Sequence, residues 1–244
     1  MTGELVGYLP VGFPDYAGSV EAAIALLENG VTALELGIPY SDPVMDGPIV
    51  QEAANAALQA GFRVPQVFDA VAAIRERSAA PVYVMTYWNP VLQHGVDRFA
   101  DEFAAAGGTG LITPDITPDA AADWIAASER TGLDRVFLAA PTSTDERLRM
   151  IAGASRGWVY AVSTMGVTGV REDVDAKARA LVARLRAADA GRVYVGIGIS
   201  SPDQVREVQS YADGAIVGSA IVRALADGGV RGMAAFARGL AGLG

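Results

Sequence analysis

Three acidic side chains stand close together in the stretch ALELGIPYSDPVMDG, residues 33–47. Glu35 lies at the end of a short apolar run, and Asp42 and Asp46 follow in a segment rich in turn-forming residues. A strand that is buried on both faces has little use for an ionisable side chain, so Glu35 requires an explanation. A carboxyl group at a strand end, with others on the next loop, is typical of a site that transfers protons.

Each acid also has a structural interpretation. Glu35 would then cap a neighbouring helix or pair with a basic group. Asp42 precedes Pro43 in a tight turn, and for Asp42 we prefer this interpretation. Asp46 precedes Gly47 and a proline, and would then be the N-terminal cap of the next helix. Glu35 is the best catalytic candidate because a partly desolvated glutamic acid holds a proton at neutral pH and returns it.

Two glycine-containing segments in the last quarter of the chain each follow a predicted strand. VGIGIS spans residues 195–200, and VGSA spans residues 217–220. Glycines let a backbone approach an anion closely, and exposed N–H groups at a helix start favour phosphate. In an eight-stranded α/β barrel, the loops after strands 7 and 8 form the recurrent phosphate site. The pair predicts a phosphorylated ligand; glycines that serve only turns are the alternative.

Other side chains also follow predicted strands. Tyr87 and Asn89 come after strand 3, and Asp115 comes after strand 4. Tyr87 and Trp88 would line an apolar cavity or belong to the core. The segment GVTG, residues 166–169, follows strand 6, and its glycines are consistent with a moving lid or with an ordinary flexible connection.

Short β-rich runs alternate with Ala-rich helical patterns along the whole chain. We predict strands at Leu5–Leu9, Ala33–Leu36, Val82–Thr86, Gly110–Thr113, Arg135–Leu138, Gly157–Val162, Val193–Gly196 and Ala215–Val217. We predict helices at Ala17–Asn29, Ile49–Ala60, Val64–Arg77, Val96–Ala106, Pro118–Arg130, Thr144–Ala152, Val174–Ala188, Pro202–Ser210 and Gly232–Leu240. A short helix is also expected directly after the last strand.

Capping signals support several of these helices. Thr117 and Ser201 each place a hydroxyl before a proline at the first helical position, and Ser143–Glu146 fits a capping box. The glycines placed where helices should end are Gly30, Gly61, Gly107 and Gly132.

Eight strands in strict alternation with helices predict an α/β protein, a (β/α)8 TIM barrel. A doubly wound open sheet is the alternative, but it usually has fewer strands or a glycine-rich turn after its first strand. Here the first strand ends in YLPVGFPD, without that glycine spacing. No Pro/Ser/Gly linker divides the sequence, so we expect one domain over residues 1–244.

Composition excludes several classes of protein. The chain has 244 residues, of which 51% are hydrophobic and 19% charged, so it is not disordered. Its net charge of −9, without a basic block, makes nucleic acid and anionic membranes poor partners. The absence of cysteine and the single histidine argue against a disulfide framework and against a metal site. That histidine, His94, lies in a predicted turn with no nearby carboxylate, and we assign it no chemistry.

The N-terminal segment MTGELVGYLPVG has no basic region followed by a long apolar stretch. No apolar run reaches the ~18 residues that a membrane helix needs. We therefore predict neither a signal peptide nor a membrane span, and we expect a cytoplasmic protein.

Six segments distributed over essentially the whole chain carry a resemblance to a known family. The segments are LELGIPYSDPVMDGP (34–48), MTYWNPV (85–91), GLITPDITPDAAADW (110–124), STMGVTGVR (163–171), VGIGISSPDQV (195–205) and GAIVGSAIV (214–222). In their order and spacing they closely resemble the tryptophan synthase alpha subunit.

The resemblance implies retro-aldol cleavage of indole-3-glycerol phosphate to indole and glyceraldehyde 3-phosphate, without a cofactor of the chain's own. Glu35 then transfers the proton to indole C3, and Asp46 hydrogen-bonds the indole N–H. Tyr160 lies near the reacting glycerol group, and Thr168 closes over the site. The full set of substrate-binding residues expected from the resemblance is Tyr160, Thr168, Gly169, Ile197, Gly198, Gly218 and Ser219.

The resemblance also implies a partner, a pyridoxal-phosphate-dependent beta subunit that receives the indole in an alpha2-beta2 complex. Segments 39–48 and 87–91 match the contact face, where Met45, Trp88 and Val91 are expected to be exposed. The alternatives are a stand-alone lyase that releases free indole, and a catalytically poor activator of the beta subunit. The family usually has a helix before its first strand, and here that covering helix is missing or shortened.

Overall fold

Eight parallel strands form a closed barrel in the order of the chain. A computed structural model describes residues 3–162, 171–196 and 198–243. Because β1 pairs with both β2 and β8, the barrel is closed, which confirms the (β/α)8 prediction and excludes the open sheet. The strands are β1 Glu4–Pro10, β2 Ala33–Gly37, β3 Val82–Met85, β4 Gly110–Thr113, β5 Asp134–Ala139, β6 Val159–Val162, β7 Val193–Gly196 and β8 Gly214–Val217.

The helices lie between the strands and after the last one. In chain order they are α1 Tyr16–Glu28, α2 Pro48–Gln59, α3 Pro65–Arg77, α4 Trp88–His94, α5 Val96–Ala105, α6 Ala122–Thr131, α7 Asp145–Ala154, α8 Arg171–Ala187, α9 Pro202–Gln209 and α10 Ser219–Leu240. Within the described residues, no helix is both long and apolar enough to cross a membrane.

Alternate residues of each strand face the barrel interior or the surrounding helices. Val6, Tyr83 and Trp158 belong to the cluster that fills the interior, whereas Leu5 and Leu34 belong to the larger cluster between the strands and the helices. Burial on both faces is why the strands read as nearly continuous apolar runs. All five residues of β2 are buried, Glu35 among them.

Strand register decides which interior side chains are neighbours. Glu35 is paired with Tyr8 on β1 and with Tyr83 on β3. Tyr160 on β6 is paired with Leu138 on β5 and with Tyr194 on β7. Tyr8 and Glu35 therefore lie side by side on the interior face, towards the carboxyl end of the barrel.

The predicted capping residues have different outcomes. The Ser201 hydroxyl caps α9 by accepting a hydrogen bond from the backbone N–H of Gln204, as predicted. Helix α7 is capped by Thr144 and not by Ser143, whose hydroxyl accepts from the N–H of Ala140 instead. Thr117 stands at the start of a 3-10 turn, Pro118–Ala120, but its side chain makes no capping hydrogen bond. The glycines predicted at helix ends all have positive φ, as at Gly132, where φ is 77°.

Three helical segments differ from the predictions. Helix α4, Trp88–His94, was not predicted. The single helix expected over Pro118–Arg130 is a 3-10 turn followed by α6. The last two predicted helices are continuous as α10, but Gly229 has non-helical angles (φ 59°, ψ −168°) that break it into two segments.

Candidate active site

A cavity of about 190 Å³ opens at the carboxyl ends of the strands. It brings together residues from both halves of the sequence. Of the predicted site residues, those that line it are Glu35, Asp46, Tyr160, Gly198, Gly218 and Ser219. Thr168, Gly169 and Ile197 lie outside the residues that the structure describes. The acids and the glycine loops therefore line one cavity.

Glu35 projects from β2 into the barrel interior and is only 1% exposed. Among the described residues, its Oε2 atom has no hydrogen-bond partner, and no lysine or arginine pairs with it. Burial, with a smaller contribution from the charge of Asp46, raises the pKa of Glu35 to about 8. Glu35 thus carries a proton at neutral pH, and neither a helix cap nor a basic partner accounts for it in the described part of the chain.

Asp46 also lines the cavity and lies on the loop after β2. Burial raises its pKa, while a hydrogen bond from the Tyr87 side chain acts in the opposite direction. The residue that caps α2 is Gly47, and no side chain caps this helix, so the capping interpretation of Asp46 is wrong. Its backbone carbonyl accepts a hydrogen bond of 2.7 Å from the Gln51 amide.

The Tyr87 hydroxyl holds the loop that carries Asp46. Its oxygen accepts hydrogen bonds from the backbone N–H groups of Val44 and Met45, at 3.0 and 2.9 Å. Tyr87 was expected to line a cavity or to belong to the core; it is buried and does not line the cavity. Its contacts with the β2 loop were not predicted, because they join residues more than forty positions apart.

Two tyrosines flank Glu35 inside the barrel. Burial is the first cause that raises the pKa of Tyr8 and of Tyr160 well above the usual value, and the negative charge of Glu35 adds to it in both. Both phenols therefore keep their protons and act as neutral neighbours. Tyr8 was not among the predicted site residues, although the alternation along β1 and its register opposite Glu35 would have indicated it.

The opposite end of the cavity is formed by backbone and small side chains. Gly218 is the N-terminal cap of α10 and Ser219 is its first residue. The free N–H groups at the beginning of this helix therefore lie beside the cavity. Gly198 has a φ of 77°, and open space surrounds the place where a side chain would begin. Ser200 lines the cavity as well. An anionic group fits this end.

Other polar residues at the mouth connect loops and do not line the cavity. Both carboxylate oxygens of Asp115 accept from the Trp88 N–H, at 2.9 and 3.0 Å. The Asn89 amide donates to the Tyr40 hydroxyl over 3.3 Å. Asp42 is exposed and accepts from the neighbouring Ser41 hydroxyl, which agrees with its interpretation as a turn residue.

The interpretation of His94 was wrong in one respect, because a carboxylate does lie beside it. Its Nε2 atom is 2.7 Å from Oε2 of Glu102, and its ring packs against the edges of Phe68 and Phe99. Helices α4 and α5 meet at Gly95, and this turn brings together two residues that are eight positions apart. The pair lies on the outer layer of the barrel.

Apolar side chains are exposed on the loop after β2 and on α4. Val44 is 80% exposed, Met45 38% and Leu92 54%. Val91 was expected to be exposed here, but it is fully buried, because α4 turns this side chain towards the core and Leu92 towards the outside.

The sequence was compared with known proteins. The family model described as tryptophan synthase alpha chain matches residues 1–238. The chain belongs to the tryptophan synthase alpha chain family. The alpha chain of Leifsonia xyli subsp. xyli is 68% identical over 228 residues, which cover 93% of this chain and 87% of the relative. That of Mycobacterium avium is 54% identical over 237 residues, which cover 97% and 87%.

Solved structures of the tryptophan synthase family have the same fold. A structure of Mycobacterium tuberculosis tryptophan synthase has a TM-score of 0.93 at 51% identity and covers 99% of this chain and 92% of that one. A mutant tryptophan synthase alpha-subunit from Pyrococcus furiosus has a TM-score of 0.89 at 34% identity and covers 99% and 100%.

Proposed function

We propose that this chain is the alpha subunit of tryptophan synthase and cleaves indole-3-glycerol phosphate to indole and glyceraldehyde 3-phosphate. The observation that carries the proposal is one cavity with a protonated glutamic acid and an aspartate at one end and a helix N-terminus at the other. The acids suit the indole and its bond to glycerol, and the helix start suits the phosphate.

Glu35 is the proton carrier in this proposal. Its proton passes to indole C3, the bond from C3 to the glycerol carbon breaks, and the hydroxyl on that carbon loses its proton as the aldehyde forms. Glu35 is then a carboxylate and is able to take the released proton back. A pKa of about 8 is close to the working pH, which is the condition for efficient transfer in both directions.

Asp46 stabilises the intermediate in the same proposal. Protonation of C3 places positive charge on the indole nitrogen, and a carboxylate that accepts the N–H hydrogen bond stabilises that charge. Burial raises the pKa of Asp46, and the hydrogen bond from Tyr87 opposes that rise and so favours the ionised form that this role requires. Because Glu35 is protonated and Asp46 is ionised, the two acids have different roles in this proposal.

The remaining site residues bind substrate. We propose that the phosphate lies at the start of α10 and that Tyr160 lies beside the glycerol, since its side chain lines the cavity next to Glu35. The same proposal assigns phosphate and lid contacts to three residues beyond the described part of the chain: Thr168, Gly169 and Ile197.

The partner in this proposal is a beta subunit that holds pyridoxal phosphate and receives the indole in an alpha2-beta2 complex. The solved structures that this chain resembles include structures of tryptophan synthase from Mycobacterium tuberculosis. The exposed side chains Val44, Met45 and Leu92 supply an apolar surface near the cavity mouth for such a contact. We further propose a single barrel domain over residues 1–244 that acts in the cytoplasm.

A steady-state assay of indole release, with and without added beta subunit, tests the function. We expect slow release by the isolated chain and strong activation by the partner. Absence of indole in both arms contradicts the proposed activity. Rapid turnover that the partner does not change contradicts the two-subunit assignment.

A further inference from the structure

The loop that presents Asp46 is anchored by the side chain of one residue from the next strand. The Tyr87 hydroxyl oxygen lies 3.0 Å from the Val44 nitrogen and 2.9 Å from the Met45 nitrogen. These are the two residues directly before Asp46. The backbone N–H of Asp46 also donates to this oxygen, so one hydroxyl holds three successive backbone groups of the loop. The hydroxyl also hydrogen-bonds the Asp46 side chain, which favours the ionised form of that carboxyl group.

Besides Tyr87, the Gln51 amide also holds this loop, because it donates to the Asp46 carbonyl over 2.7 Å. Val44 is 80% exposed and Met45 is 38% exposed, so neither side chain is anchored in the core. Tyr87, by contrast, is only 5% exposed. Its ring packs against that of Tyr40, with 5.3 Å between the ring centroids. The tyrosine is therefore the buried partner in this contact, and the loop residues are the exposed ones.

The position of Tyr87 is itself fixed by β4. The next residue, Trp88, donates its backbone N–H to both carboxylate oxygens of Asp115. Asp115 follows β4, so the barrel holds the start of α4 and the tyrosine before it. The contacts run from Asp115 through Tyr87 to Asp46.

We propose that Tyr87 is a positioning residue for the cleavage reaction, which holds the Asp46 carboxylate at the indole end of the cavity. This inference rests on the proposed function. Tyr87 acts through Asp46 and is not itself in contact with the reacting carbon atoms. An ordered hydrogen-bond donor of this kind fixes a catalytic group in its working geometry.

The test removes the hydroxyl alone, in the variant Tyr87→Phe. We expect kcat for indole release to fall about tenfold, the effect of losing one hydrogen bond to a charged group. Because this hydrogen bond lowers the pKa of Asp46, its loss raises that pKa, and the acid limb of the kcat/KM profile moves to higher pH. A purely structural role for Tyr87 would not move the acid limb. Glycerol phosphate binding, measured separately, reports that the variant is folded.

Tyr83→Phe is the matched control. The Tyr83 hydroxyl also donates to an aspartate, Asp134, over 3.1 Å, but at the other end of the barrel. We expect this variant to keep the kcat and the acid limb of the wild-type chain. An acid limb that moves equally in both variants contradicts the inference.

A double-mutant cycle with Asp46→Asn makes the test specific. If Tyr87 acts through Asp46, then Tyr87→Phe changes kcat by less than about twofold in the Asp46→Asn background. Equal losses in both backgrounds contradict the inference. A wild-type chain that releases no indole with its partner contradicts the proposed function instead, so the two failures are distinguishable.

Discussion

The two ends of the barrel interior are built from the same residue types, aspartate, glutamate and tyrosine, but they differ in how the acids are paired. At the amino end, Asp134 accepts a hydrogen bond from Tyr83 and lies 3.8 Å from the Arg156 guanidinium. At the carboxyl end, Glu35 and Asp46 face one cavity, and no described lysine or arginine forms an ion pair with either.

The aromatic side chains also differ between the two ends of the barrel interior. At the amino end, the rings of Trp158 and Tyr194 stack with centroids 4.6 Å apart, and Arg192 hydrogen-bonds the Tyr194 hydroxyl. At the carboxyl end, Tyr8 and Tyr160 border the cavity, and burial, with a smaller contribution from the charge of Glu35, raises the pKa of each. The amino end has the ion pairing expected of a stable core, whereas the acids at the carboxyl end have no basic partner among the described residues and are available for chemistry.

The largest expected effect is a difference in kcat between variants at the two ends of the barrel interior. Glu35→Gln keeps the shape of the side chain but removes its transferable proton, so we expect kcat to fall more than ~10²-fold while substrate still binds. Asp134→Asn is the matched variant at the amino end, and we expect its kcat to stay within about threefold of the wild-type value, because it contributes packing and not proton transfer. The assay is indole release at saturating substrate. Near-normal turnover by Glu35→Gln would refute the assignment of Glu35.

The same residue should make stability depend on pH. Glu35 has a pKa of about 8 in the folded chain against 4.5 ordinarily, so between these values the folded chain keeps a proton that the unfolded chain has lost. Its contribution to the free energy of unfolding therefore falls as pH rises through this window, by up to about 1.4 kcal/mol per pH unit. Urea unfolding from pH 5 to pH 8 measures the effect. Glu35→Gln should lose this contribution, and parallel curves for the two chains would contradict the prediction.

Most of the fold was predictable because buried parallel strands leave a clear signal. The eight strands read as apolar runs, and their observed bounds differ from the predicted ones by at most two residues at each end. Helix α4 was missed for a physical reason: it has only seven residues, with Pro90 near its start and Gly95 directly after its end. A proline and a glycine so close together predict a loop, and packing against the barrel overrides that preference.

Some residues of the candidate site were also predictable from the sequence, and others were not. Glu35 and Asp46 were predicted as site residues because Glu35 ends a strand and Asp46 lies on the loop after it. The sequence shows both positions locally. Tyr87 was placed at the mouth, but its hydrogen bonds reach a loop that only the register of β2 and β3 brings near. The contact of His94 with Glu102 was missed because it depends on the angle between α4 and α5. Long-range contacts of this kind have no signature in spacing.

The next prediction tests the phosphate end of the cavity. Gly198→Asp places a negative charge where the phosphate is proposed to bind, and we expect the Kd of glycerol phosphate to rise about tenfold, equivalent to ~1.4 kcal/mol of repulsion. Gly198→Asn is the control, because Asn has the same size and also tolerates the positive φ of this position. Calorimetric titration of both variants separates charge from shape. Equal affinities for the two variants would count against an anion at this end.

The last prediction concerns packing around the acids. A Cβ atom on Gly37 would overlap the Tyr8 hydroxyl and come within 2.8 Å of the ring carbon that bears it. Gly37→Ala should therefore lower the free energy of unfolding by about 1–3 kcal/mol through overpacking. Tyr8→Phe in the same chain removes the hydroxyl but leaves the ring, so it should restore part of the loss and not all of it. Urea unfolding of the two single variants and the double variant measures this. If the changes in the free energy of unfolding of the two single variants add up exactly in the double variant, the Tyr8 ring moves away from the new methyl group. The carboxyl end of the barrel interior would then be packed less tightly around Glu35 than the amino end is around Asp134.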